Sequence, residues 1–156
     1  MQSSFFHRRR GIPGRGSSRR GNAMVEFAIG FSLLIAAFTG VYRFGYTFFV
    51  YNILESAVRE GARYGSLEVY DGATNGATFT SWVKNMVVYT NPTPPTGATP
   101  VVPGLTTDNV TVNANLDAKG IPTRITVQIS NFQSSLFVTT LNKPKCSFDY
   151  MGRYTD

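Results

Sequence analysis

From Ala23 to Tyr42 the chain reads AMVEFAIGFSLLIAAFTGVY, a run in which Glu26 is the one charge. As a helix rising 1.5 Å per residue, this run covers about 30 Å, the thickness of a bilayer's hydrocarbon core. It continues as RFGYTFFVY, and Tyr42, Phe44, Tyr46, Phe48, Phe49 and Tyr51 make it densely aromatic. Such rings gather where a membrane meets water, and Arg43 can extend its guanidinium to the same level. The pattern predicts a membrane segment over about 23–42. A buried helix of a soluble protein is the alternative, but no second long apolar helix exists to cover this one. A secretory signal peptide is a further alternative, because Ala37-Phe38-Thr39 resembles a small-x-small cleavage site. The apolar and aromatic run beyond that point opposes it.

Helical spacing persists past the aromatic belt. Ile53, Leu54, Ala57, Val58 and Ala62 recur at near-helical intervals, and Glu55 and Arg59 stand four apart in the favourable order. The expectation is one helix from about Ala23 to Tyr64, stopped by Gly65. Small residues recur along it: Ala28, Ser32, Ala36 and Gly40 at steps of four, then Gly61 and Gly65. Small side chains let helix backbones approach closely, so these are candidate helix-packing positions. Phe27, Phe31, Phe38 and Tyr42 form a neighbouring stripe.

Residues 67–156 change character and become rich in Thr, Asn and Gly. Thr80 to Tyr89 predicts a short amphipathic helix capped by Thr78 or Thr80. Asn91 to Thr107 holds five of the eight prolines and has neither helix nor strand period, so it reads as a loop. Val110, Val112, Ala114 and Leu116 alternate, as do Ile125, Val127 and Ile129, giving two strands joined around Lys119-Gly120. Cys146, Phe148 and Tyr150 alternate in a third. A sheet with one apolar face must be covered by helices. The resulting plan is α+β: a long N-terminal transmembrane helix continues outside the bilayer and packs on a small antiparallel β-sheet. Three regions follow: a leader over 1–21, the long helix over 22–66, and an outer domain over 67–156.

Charge sharpens the first boundary. The 156 residues hold 15 Lys plus Arg against 9 Asp plus Glu, a net +6. Arg8, Arg9, Arg10, Arg15, Arg19 and Arg20 all precede Asn22, and no acid does. Beyond Gly21, nine bases therefore meet nine acids, and that part of the chain is neutral. The leader is built of Arg, Gly and Ser with Pro13, a composition expected to be unstructured. An Arg-rich tail can bind nucleic acid, but beside an apolar helix it holds that end in the cytoplasm. The basicity therefore marks topology, and no nucleic-acid partner is expected.

Candidate chemistry is sparse. One cysteine, Cys146, excludes an intrachain disulfide framework and reads as a small strand side chain. The single histidine, His7, lies in the leader. No Walker, GxGxxG or HExxH motif occurs, and no catalytic residues, metal or cofactor are expected. Asp71 and Asn75 lack further oxygen ligands at a cation-loop spacing and read as a turn. Asn109-Val110-Thr111 fits a glycosylation pattern but falls where a strand is expected. Lys143 and Lys145 flank an edge-like strand, where charge discourages aggregation.

Two resemblances rest on particular residues. Gly21 follows Arg19-Arg20, and Glu26 is the fifth residue after it. A basic leader, a glycine, then an apolar helix with Glu at the fifth position resembles the leader junction of type IV prepilins. That resemblance implies a prepilin peptidase cutting between Gly21 and Asn22, and a Glu26 carboxylate neutralised by the new amine of a neighbouring subunit. Asn22 departs from the apolar residue usual there. Next, RRGNAMVEFA followed by YRFGYTFFVYNILESAVREGARYGS resembles the TadE-like pilus proteins. The most diagnostic part is Arg59-Glu60-Gly61-Ala62-Arg63-Tyr64; Arg43 departs, since an acid before the FG is common. The resemblance implies a pilus subunit or pseudopilin of a tight-adherence system. It would be single-pass in the inner membrane with its N-terminus in the cytoplasm. It would partner other pilin subunits and be assembled into, or at the tip of, an extracellular filament. A membrane-anchored extracytoplasmic binding module that never polymerises is the alternative.

Overall fold

The computed structural model describes residues 18–72, 74, 76–133, 140–141 and 144–155. His7 and most of the leader, Asn75 and Lys143 lie outside the described residues. The chain divides into two units, Met1–Tyr42 and Arg43–Asp156, and a first helix, α1, spans Ser18–Leu67.

The helix begins earlier and ends later than its apolar pattern predicts. It starts at Ser18 rather than near Ala23, so the last leader residues are helical. A single glycine costs about 1 kcal/mol in a helix, which cooperative extension from the adjoining apolar run outweighs. At the other end α1 passes through Gly65 to Leu67. Gly65 is there for proximity, not termination: a β-carbon on it would sit 3.0 Å from Val83 and 3.3 Å from both Ile125 and Phe79.

In the first unit, every side chain from residue 21 to 42 is exposed. The helix has a stretch of mean hydropathy 1.9 with no buried residue, long and apolar enough to cross a membrane. The Ser32 hydroxyl is satisfied locally, donating to the Ala28 carbonyl at 2.7 Å, a bond that needs no water. Phe27 and Phe31, one turn apart, stack at 5.8 Å.

The second unit builds one core around the other part of α1. Leu54, Val58 and Ala62 are fully buried, against Val83, Val87 and Val88 of α2 (Ala77–Tyr89). Phe79, Val83 and Val87 fall at successive steps of four, so α2 presents one apolar stripe. It starts at Ala77, before the expected Thr80. Its N-cap is Gly76 in a left-handed conformation, with no side-chain cap from Thr78 or Thr80. A β-carbon on Gly76 would overlap the Tyr70 ring, so the turn needs glycine for both φ and space.

The fold is α+β. After a short strand β1 (Tyr70–Asp71) and α2 come β2 (Val110–Leu116), β3 (Pro122–Ile129), β4 (Phe132–Gln133), β5 (Thr140–Leu141), β6 (Lys145–Asp149) and β7 (Tyr154–Thr155). A three-stranded antiparallel sheet has the order β2-β3-β6. Its register sets Val112 and Cys146 on either side of Val127, and Ala114 and Phe148 on either side of Ile125. Central β3 buries Ile125, Val127 and Ile129 completely. The hairpin between β2 and β3 is tied by Asp117, whose carboxylate accepts from the Lys119 and Ile121 amides at 2.8 Å.

Two strand expectations need correction. Leu116 is 49 % exposed because a register shift between Asn115 and Leu116 turns it off the core face. Tyr150 lies beyond β6, and its hydroxyl is used elsewhere. It accepts from the Tyr70 amide at 3.0 Å and shares its proton between the carbonyls of Glu68 (2.8 Å) and Arg153 (2.7 Å). The Met151 amide donates to the Ser66 carbonyl at 2.8 Å, and β7 pairs with β1 in parallel. The C-terminal segment is thereby fastened to the end of α1.

Candidate functional site

The sequence-derived site residues all lie on α1, and the structure separates them by what covers each one. Gly21, Asn22 and Glu26 are exposed. A β-carbon on Gly21 would meet nothing within 4 Å among the described residues, so their packing does not require the glycine. Glu26 makes neither a hydrogen bond nor an ion pair among the described residues. A carboxylate in an apolar segment is unfavourable unless it finds a partner or reaches the membrane surface.

Ala28 and Ser32 form the floor of a shallow groove of about 370 Å³ walled by Val25, Ile29 and Leu33. Ala36 and Gly40 are exposed, and Gly40 has open space around its α-carbon. Gly61 and Gly65 are used differently. Both are buried, and a β-carbon on Gly61 would overlap the Val87 Cγ2 methyl. Their close approach is made to α2 of the same chain.

The Arg59–Tyr64 element follows helical geometry. Gly61 and Ala62 point into the core, while Arg59, Glu60 and Arg63 are exposed. Arg59 pairs with Glu55 at 2.6 Å across one turn; both are solvated, so the pair contributes little stability. Tyr64 is half-buried, and its hydroxyl bonds to Glu68. Burial and the Glu68 carboxylate push its pKa up to about 12. The Tyr150 hydroxyl is raised as well, mainly by burial.

A second groove, of about 370 Å³, has no counterpart among the sequence expectations. It runs along α1 past Phe49, Ile53 and Ala57 to Glu60, with Val101 on its far wall. Val101 comes from the proline-rich loop, held to α2 by its amide bonding the Val88 carbonyl at 2.8 Å. The spacing of apolar residues along α1 could have pointed to Ile53; nothing periodic in the loop points to Val101.

Among the described residues no three His, Cys, Asp or Glu side chains come together. Cys146 is half-buried in β6. The Asn109 amide is occupied, its oxygen accepting from Thr106 and its nitrogen donating to the Asn131 carbonyl at 3.3 Å. What the surface of α1 offers is packing: an uncovered apolar helix, small side chains and a few charges.

Comparison with known proteins gives one finding. Residues 21–63 match the model of the TadE-like protein family. That family is structural, non-enzymatic and pilus-associated, and its span here covers Glu26, the aromatic belt and most of the Arg59–Tyr64 element. No curated protein and no solved structure matches the chain.

Proposed function

We propose that this TadE-like chain is a pilus subunit or pseudopilin, anchored in the inner membrane and then assembled into, or at the tip of, an extracellular filament. The observation that carries the reading is the state of α1 within the matched span. Its residues 21–45 are all exposed and largely apolar, with a lone carboxylate, whereas Leu54 to Ser66 include the buried spine of a folded α+β domain. A helix of the first kind needs lipid or other helices around it.

The arginine-rich leader keeps the N-terminus cytoplasmic during insertion, and the α+β domain emerges on the opposite side. A prepilin peptidase cuts after Gly21. The exposed, uncrowded junction supports this, since no side chain among the described residues stands over Gly21. The freed amine and Glu26 of neighbouring subunits neutralise each other where water is excluded, and Glu26 so fixes the register of packing. Ala28, Ser32, Ala36 and Gly40 let the neighbouring helices approach.

The test is incorporation. Glu26→Ala should remain membrane-bound yet disappear from sheared surface filaments, and Gly21→Val should accumulate unprocessed. Normal filaments carrying both variants would contradict the mechanism.

A further inference from the structure

Three charges on α1 share one spacing. The interval from Glu26 to Arg43 is the same as the interval from Arg43 to Glu60. Each step is about 26 Å of helix, so no two of them can meet within one chain. Neither Glu26 nor Glu60 has a hydrogen bond or ion pair among the described residues. Glu60 closes one end of the apolar groove formed by Phe49, Ile53 and Ala57.

We infer that the occupant of this groove is the apolar half of α1 from a second copy of the chain, parallel and displaced by the Glu26-to-Arg43 interval. The inference rests on the subunit reading above and specifies its register. At this displacement Glu26 of one copy stands level with Arg43 of the next, and Arg43 of the first stands level with Glu60. Both contacts join opposite charges, and the same shift serves both. The intervening side chains also complement each other in size. Ser32, Ala36 and Gly40 come level with Phe49, Ile53 and Ala57, small residues opposite the groove.

The shared interval falls about 100° short of five helical turns. The charges therefore drift around the axis, within reach of long Glu and Arg side chains leaning from either side of a helix contact. The two surfaces joined are different, so the contact is heterologous. Repeated without closure, it gives an open helical assembly. At this displacement the freed amine stands level with Thr39 of the next copy, so the amine that meets Glu26 belongs to another neighbour of the assembly, and Arg43 serves Glu26 and Glu60 along this seam.

Disulfide trapping in the full-length chain tests the register. In a Cys146→Ser background, Thr39→Cys with Ser56→Cys joins two exposed positions separated by that same interval. Their separation forbids a bridge within one chain. Oxidation of cells or sheared filaments should give a ladder of multimers. Yield should exceed, on the order of tenfold, that from Thr39→Cys with Asn52→Cys or Ile35→Cys with Ser56→Cys, each about one turn out of register. Arg43→Glu and Glu60→Arg should each lower filament incorporation, and the double variant should regain part of it. A ladder strongest in a control pair, or filaments that form without any self-ladder because lipid or another subunit fills the groove, overturns the inference and leaves the subunit reading standing. Absence of the chain from sheared material overturns both.

Discussion

Gly61 of α1 lies so close to Val87 of α2 that a β-carbon at residue 61 would overlap the valine's Cγ2 methyl. The glycine sets the distance at which the two helices pack, and Leu54, Val58 and Ala62 reach their buried positions beside it. Gly61→Ala should destabilise the outer unit by about 1–3 kcal/mol through overpacking, partly offset by alanine's better helix propensity of about 1 kcal/mol. Gly40→Ala, with open space at its α-carbon, should leave stability unchanged or slightly raised. Urea titration of the full chain in detergent, followed by Trp82 fluorescence, compares them. Equal midpoints for the two variants would contradict the α1–α2 contact.

Tyr150 joins three pieces of backbone through one hydroxyl. Tyr150→Phe should cost about 0.5–1.5 kcal/mol, the net contribution of a typical intramolecular hydrogen bond. The Tyr70 amide keeps its bond to the Arg153 carbonyl at 2.9 Å, so β1 should loosen rather than detach. Amide exchange should quicken at Tyr70 and Met151 while the amides of β3 remain protected. Unchanged exchange at both positions would show that the hydroxyl does not hold the C-terminal segment.

Much of this architecture is legible from side-chain spacing. Wherever an element has one face in the core, its period survives in the sequence: Leu54, Val58 and Ala62 on α1, and Ile125, Val127 and Ile129 on β3. What escapes is burial without period. Val102 and Leu105 are almost wholly buried yet come from a loop of prolines and threonines, because tertiary contacts alone lay the loop over α2. Tyr150 keeps the alternation of β6 but leaves the strand to use its hydroxyl. Glycines are legible as small and not as to purpose: Gly61 and Gly40 look alike in the sequence, and among the described residues a β-carbon would meet a neighbour at the first and open space at the second.

Alkaline pH should weaken the fold in a way Tyr64 partly controls. Its phenol is held at a pKa of about 12 in the folded chain, against an ordinary 10.0. The folded state therefore keeps its proton when the unfolded state has lost it. The corresponding stabilisation is complete below about pH 10 and declines as pH rises toward 12. Tyr64→Phe should flatten that decline. Tyr150, shifted in the same direction, should leave a residual slope. Urea midpoints taken between about pH 8 and pH 11 for both chains provide the check, and parallel curves would contradict the Tyr64–Glu68 interaction.

The account turns on the junction at Gly21, which divides a leader carrying all the net charge from a remainder carrying none. The direct measurement is intact mass with N-terminal sequencing of the protein from whole cells and from sheared surface material. The account predicts a chain beginning at Asn22 in the sheared fraction, with the unprocessed form confined to membranes. A surface protein that retains the arginine leader, or one that begins near Gly40, would contradict it.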